Sequence, residues 1–202
     1  QSKWSMGLFV WYFGTKGTKN SWKDVGHHTI INGPRYRGLL KDIFDKKFLA
    51  EDMSIYLHRP SCTDKTVAPD GADTFYALSP VPNLKTNNPV NWDAMGKIYK
   101  EKLRKALNDI IPGFSETIET ELILNPQDFL SRYLSPYGAG FSLEPRIFQS
   151  AWFRPHNVSE EVKNLFLVGA GTHPGAGIPS VVTSAEVMAK LIPDASNVRI
   201  KL

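Results

Sequence analysis

The chain has 202 residues, 42% of them hydrophobic and 22% charged, with a formal net charge of +4. That composition excludes a disordered chain and allows one sizeable core or two small lobes. A single cysteine, Cys62, excludes an internal disulfide and a cysteine-based zinc cluster, and with no long Lys/Arg block or basic-aromatic repeat a nucleic-acid partner is not expected.

The chain opens on Gln1 with no signal or transit pattern behind it, so it reads as a piece of something longer. Its longest apolar run, Met6 to Phe13, is far shorter than the roughly 18 residues of a membrane span, so any membrane contact is expected to be peripheral. The stretches "WSMGLFVWYFGTKGTKN" and "HHTIINGPRYRG" read as strands closed by turns and are expected to form an antiparallel pair, with Phe9, Trp11 and Phe13 on one face. "YRGLLKDIFDKKFLAED" follows as a helix carrying Leu39, Leu40, Ile43, Phe44 and Phe48. "SIYLH" and "DTFYALSP" are further strands around a turn-rich loop.

The clearest helix runs from about Trp92 to Ile111 and stops at Pro112-Gly113. One face holds Met95, Ile98, Tyr99, Leu103, Ala106, Leu107 and Ile110; the other holds Lys97, Lys100, Arg104 and Lys105, either an ordinary solvated face or a contact for lipid headgroups. "SETIETELIL" reads as a strand with Ile118, Leu122 and Leu124 on one parity. "SPYGAGFSLEPRIFQSAWFRPHN" is too rich in Gly, Pro and aromatics for regular structure and suits a binding loop or a packed surface loop equally.

Nucleophile-elbow, phosphate-loop and zincin patterns are all absent. Adjacent His27 and His28 would point to opposite faces of a strand, and no metal site is expected. The richest stretch is "LFLVGAGTHPGAGIPSVVTSAEVMAKLI", an apolar strand pattern, glycines at 169, 171, 175 and 177, then a small-residue helix. The third glycine of G-x-G-x-x-G fails from either start, so this is not the first turn of a Rossmann fold. Strand, glycine loop and helix still form the geometry that brings a ligand onto a helix N-terminus. Pro179 suits the first helical position, leaving the N–H groups of Ser180 and Val181 as free donors.

"NLFLVGAGTHPGAGIPSV", with "QSAWFRPHN", "GPRYRGLL" and "YALSPVPNL", resembles the C-terminal part of the bacterial-type phytoene desaturases, FAD-dependent carotenoid enzymes of the amine-oxidase-like flavoproteins. The similarity is weakest over 86–135 and after Ile192; relatives often carry glycine at Ser180 and a different small residue at Thr183, and the family's N-terminal dinucleotide motif is missing, so this chain alone should hold FAD poorly. The resemblance implies a mixed α/β (α+β) class, with part of an antiparallel-sheet substrate domain over 1–140, a return to the Rossmann-like FAD domain with its last strand and helix over 141–192, and a tail over 193–202.

It implies an oxidoreductase that desaturates phytoene stepwise toward lycopene, peripherally bound at the cytoplasmic face of the cell membrane and completed by the missing N-terminal part. Gly169, Ala170, Gly171, Gly175, Gly177, Ile178, Pro179, Ser180 and Val181 are implied to hold FAD, His173 to be a polar or catalytic group beside it, and Phe9, Trp11, Phe13, Phe141, Trp152 and Phe153 to line the carotenoid tunnel unless they are core. A desaturase of a shorter or hydroxylated carotenoid, a flavin-dependent cis–trans isomerase and a noncatalytic membrane-docking fragment are the alternatives.

Overall fold

A computed structural model describes residues 2–18, 22 and 25–192, so the tail expected over 193–202 and the Lys19-Asn20 end of the first turn lie outside the described residues. The chain divides into two compact units, Met6–Gly140 and the described part of Gln1–Ser5 with Phe141–Leu202. Its class is mixed α/β with an antiparallel sheet.

The larger unit is built on strands β1 (Gly7–Lys16), β2 (His28–Ile31), β3 (Ile55–His58), β4 (Ala72–Val81) and β5 (Ile118–Leu124), in the spatial order β2-β3-β4-β1-β5 with every pair antiparallel. The expected pairing of the first two strands is therefore corrected. β1 lies between β4 and β5, while β2 pairs only with β3. A ten-residue strand meets a full set of partners in the ten residues of β4, whereas the four of β2 match the four of β3.

Alternation sorts the sheet into two faces. Phe9, Trp11, Phe13, Ile55, Leu57, Phe75, Ala77 and Val81 point to one face and are buried under α2 (Trp92–Ile110). The helix starts at Asn91, whose Oδ1 accepts from the Ala94 N–H at 3.2 Å. Its buried stripe is Trp92, Gly96, Tyr99, Leu103 and Leu107, a clean i, i+3/i+4 series. Ile98 and Ile110, expected on that stripe, are half exposed because they fall on its flanks.

Rings interlock at the seam: Phe9 packs edge-on to Tyr99 at 4.9 Å, and Trp11 sits 5.8 Å from Phe114. Each such buried side chain contributes about 1.5–3 kcal/mol. Tyr99 keeps its hydroxyl satisfied on Ser79, 2.8 Å away.

The predicted helix after "GPRY" is α1 (Tyr36–Lys41), which widens into a π-type turn over Asp42–Lys46 and ends where Lys47 takes a left-handed conformation. Leu39 and Ile43 are its buried anchors, while Phe48 lies beyond its end. In β5 the expected parity is corrected at Ile118. Leu122 and Leu124 do share a face, paired across from Tyr12 and Val10, but a register shift between Gly14 and Thr15 turns Ile118 to the α2 side, where Ile123 also packs. A helix not anticipated from the sequence, α3 (Pro126–Tyr133), follows; its capping box of Asn125 and Asp128 with Pro126 in the first turn is a strong start signal.

One buried ion pair organises the end of β4. Arg59 donates to both carboxylate oxygens of Asp73 at 3.0 and 3.1 Å, and Ser61 and Thr18 donate to the same group at 2.6 and 2.8 Å. Burial alone would raise the Asp73 pKa, but these donors outweigh it and hold the carboxyl below its ordinary range.

Candidate functional site

In the smaller unit the chain reaches the glycine loop through residues 165–168. These were expected to form a strand, but they are extended with one bridge, Val158 to Phe166, and Leu165 and Val168 are exposed at 42% and 51%. The pattern is apolar on both faces, as a doubly covered strand requires, and no neighbouring strand of the described chain flanks it.

Two side chains of the "FRPHN" string, missed as site residues, hold the loop. Arg154 is buried at 4% exposure with no carboxylate partner among the described residues; it donates to the carbonyls of Gln149, Phe141, Leu143 and, through Nε and Nη2, of Ala170 at 3.2 and 3.0 Å. Burial pushes its pKa down. Asn157 donates to the carbonyls of Leu167 and Ser184, while Ser184 Oγ accepts from the Gly169 N–H at 2.9 Å and donates to Val181 O at 2.7 Å. Strand end, loop and helix are thus tied by one Arg, one Asn and one Ser.

The four glycines divide by role. A Cβ on Gly171 would crowd Ser142 Oγ at 3.1 Å, so it serves internal packing, while Gly175, next to the Arg154 side chain, has φ of +143°. Gly169 and Gly177 have φ of +109° and +103°, values that side-chain-bearing residues rarely adopt, and a Cβ at either would meet nothing within 4 Å. That combination leaves bare backbone facing open space.

The last helix, α4 (Ile178–Leu191), starts there with Gly177 as its N-cap, Pro179 in the first turn and no side-chain cap. The expected donor pair is corrected in one member. Val181 N–H already closes the first helical bond to Gly177 O at 2.9 Å, so the N–H groups without an acceptor among the described residues are those of Ile178 and Ser180. The helix start is exposed, with Ile178 at 84%. His173 sets its Nδ1–H on Ala151 O at 3.0 Å and its backbone N–H on Pro155 O, which leaves Nε2 as an acceptor.

A broad open cleft of about 1300 Å³ in the same unit is lined by Phe148, Gln149, Trp152, Phe153, Arg154 and Leu167 among others. It brings together Trp152 and Phe153 of the proposed tunnel set, but neither Phe141 nor any residue of the 169–181 loop lines it.

Phe9, Trp11 and Phe13 are corrected as tunnel residues: at 0–3% exposure they are the sealed core beneath α2. The other sheet face is the accessible one. It carries Tyr12, Tyr56, Tyr76, Leu78 and Leu122, with Tyr76 5.7 Å from both Tyr12 and Tyr56, and α3 covers one end of it through Phe129. Burial and Tyr56 push the Tyr76 hydroxyl up to about 12, and burial and Tyr133 raise that of Tyr12. The signal was the second parity of the same strand, Leu8, Val10 and Tyr12.

The cationic side of α2 is also partly engaged. Burial opposes the ionisation of Glu121 on β5, but Lys100, Trp11 Nε1 and Arg104 bind it and lower its pKa, so among the described residues only Lys97 and Lys105 of the expected lipid-facing set are exposed without a partner. No helix among the described residues is long and apolar enough to cross a membrane.

The larger unit thus presents an aromatic sheet face, and the smaller unit an uncapped helix start behind bare glycines. No family model matches it. It is 67% identical over 197 residues, 98% of this chain, to a protein of Cereibacter sphaeroides named phytoene desaturase (neurosporene-forming). It is 63% identical over 196 residues to a protein of the same name from Rhodobacter capsulatus, and 46% identical over 191 residues to a phytoene desaturase (lycopene-forming) of a Paracoccus species. These alignments cover 96% and 94% of this chain, and the chain spans only 37–38% of the length of these relatives. Over nearly its whole length the chain is therefore homologous to the bacterial-type phytoene desaturases.

Proposed function

We propose that the chain is part of a carotenoid desaturase, an FAD-dependent oxidoreductase that removes two hydrogens from adjacent carbons of phytoene. The observation that carries the reading is the exposed α4 start, where Ile178 and Ser180 offer free N–H groups beside Gly169 and Gly177, whose missing side chains leave open space. The residues present fit the ring end of FAD: bare backbone admits a planar group, and a helix N-terminus carrying about half a positive charge favours the anionic form. Bound FAD would supply the acceptor for a hydride equivalent.

The chain's own residues have three tasks in this reading. Arg154, Asn157 and Ser184 fix the loop so that the two N–H groups keep their direction. His173, with Nδ1 committed to Ala151 O, presents Nε2 as a polar acceptor next to the same loop. Tyr12, Tyr56, Tyr76, Leu78 and Leu122 offer a long hydrocarbon an aromatic and aliphatic face. Membrane contact then falls on the exposed end of α3, where Leu130, Tyr133 and Leu134 stand out at 39%, 62% and 81%, more than on α2.

The dinucleotide end of FAD finds no matching glycine fingerprint in this sequence. The remaining length of the relatives is the expected supplier of that end and of the neighbours of strand 165–168. Both relatives above 60% identity are named neurosporene-forming, so neurosporene is the expected product.

The test is a protein carrying this chain together with the rest of a relative's length, purified from a phytoene-making host. A yellow flavin band and neurosporene accumulation are expected. A colourless protein that leaves phytoene unchanged while folded would remove the reading, and isomerised phytoene with no acceptor consumed would replace it with an isomerase.

A further inference from the structure

The three imidazoles of the larger unit converge. His27 precedes β2 in a bend, so strand alternation does not apply to it, and its ring lies 4.3 Å from that of His28 and 4.7 Å from that of His58. His28 and His58 are direct cross-strand partners, which puts them on one face. Each ring offers one nitrogen, and the three nitrogens lie within 4.8 Å of one another. The sequence expectation that His27 and His28 diverge is thereby corrected.

Orienting partners are in place for two of the three rings. Thr63 Oγ1 donates to Pro60 O at 3.3 Å, so it accepts from His27 Nδ1 at 2.6 Å and leaves His27 Nε2 with a lone pair. His28 Nδ1 is held by Tyr56 Oη at 2.6 Å. His58 Nε2 lies 2.8 Å from His27 Nε2, and its buried Nδ1 has no partner among the described residues. A ring nitrogen fixed through its other nitrogen is the arrangement found around metal-bound histidine.

We propose that His27, His28 and His58 form a binding site for a zinc-class divalent ion, with an open fourth position on the exposed His28 side. Imidazole nitrogen selects late first-row ions over magnesium or calcium. Zinc–nitrogen bonds of about 2.0–2.1 Å place tetrahedral ligands roughly 3.4 Å apart. The 2.8 Å pair must open slightly and the exposed His28 must close in, both within side-chain rotation. Such an ion would pin the start of β2 to the end of β3, at the edge of the aromatic sheet face. The site does not depend on the desaturase reading.

The full 202-residue chain, stripped with chelator and dialysed against ZnCl2, should retain one zinc per chain and melt at a higher temperature with zinc than without. His28→Gln, on an exposed ring, should keep the far-UV spectrum and weaken zinc at least about tenfold; Thr63→Val, which frees His27, should do the same within a roughly 10–100-fold range. Cys62→Ser should bind as the parent does. Failure of the parent to retain zinc, equal retention after replacing all three histidines (an adventitious ion only), or loss in Cys62→Ser would overturn the site.

Discussion

Arg154 carries its charge into a buried position and, among the described residues, satisfies it on carbonyl oxygens. Each charge-assisted bond contributes about 1.5–3 kcal/mol at most, and the set joins the glycine loop to residues 141–149. Arg154→Met keeps much of the stem but strands those carbonyls, so a loss of about 2–3 kcal/mol in urea unfolding is expected, with faster amide exchange at Gly169–Gly171. Unchanged exchange there would show that Ser184 and Asn157 hold the loop without it. His58 gives a second residue-scale expectation. Desolvation, then the neighbouring His27 and His28, holds its pKa below 6.5. The unfolded chain therefore takes up the proton first, and stability should decline as pH falls from about 6.5 through the lower folded value. Tyr56 and Tyr76 pack their rings against His58. His58→Gln should flatten that part of a stability-against-pH curve measured without zinc.

Among the elements, α4 is the one whose start the proposed flavin site uses, and Gly177 is its N-cap. At φ +103° and ψ +146° an L side chain costs about 1–3 kcal/mol even with space around it. Gly177→Ala is expected to lower the melting temperature of the chain, and in the FAD-loaded longer protein to lower flavin content beyond what the stability loss explains. This start was legible in the sequence, because glycine followed by Ile-Pro marks a helix entry whose first donors have no cap. What could not be read is which donor is used: Val181 bonds Gly177, a consequence of the helix beginning at Ile178 and not at Pro179. Likewise β1 and its inward aromatics were plain from alternation, but its partners were not, since pairing depends on strand length and on loops whose path local pattern does not encode. The β5 bulge shifted parity by one residue, an effect invisible without the neighbouring strand. Arg154 and Asn157 stood in a quoted motif, yet their roles depend on contacts 10 to 27 residues away.

At the scale of the whole molecule, the central sheet separates a sealed core face from a partly exposed aromatic one. Trp11 and Tyr12 are neighbours on one strand, but Trp11 is fully buried against Phe114 and bonded to Glu121, while Tyr12 is 41% exposed beside Tyr76. Removing the Trp11 side chain opens a large cavity, so Trp11→Ala should cost about 3–5 kcal/mol and lower expression of the folded chain. Tyr12→Ala leaves the α2 side intact and should shift stability by about 1 kcal/mol or less. In the FAD-loaded longer protein the order reverses for substrate: Tyr12→Ala, and Tyr76→Ala with it, should raise the phytoene concentration needed for half-maximal rate by roughly tenfold, the scale set by losing one apolar contact worth about 1.4 kcal/mol. If Tyr12→Ala left that concentration unchanged while substitutions at Trp152 and Phe153 raised it, the hydrocarbon would lie in the cleft of the smaller unit, and the open sheet face would be only a surface for another part of the protein.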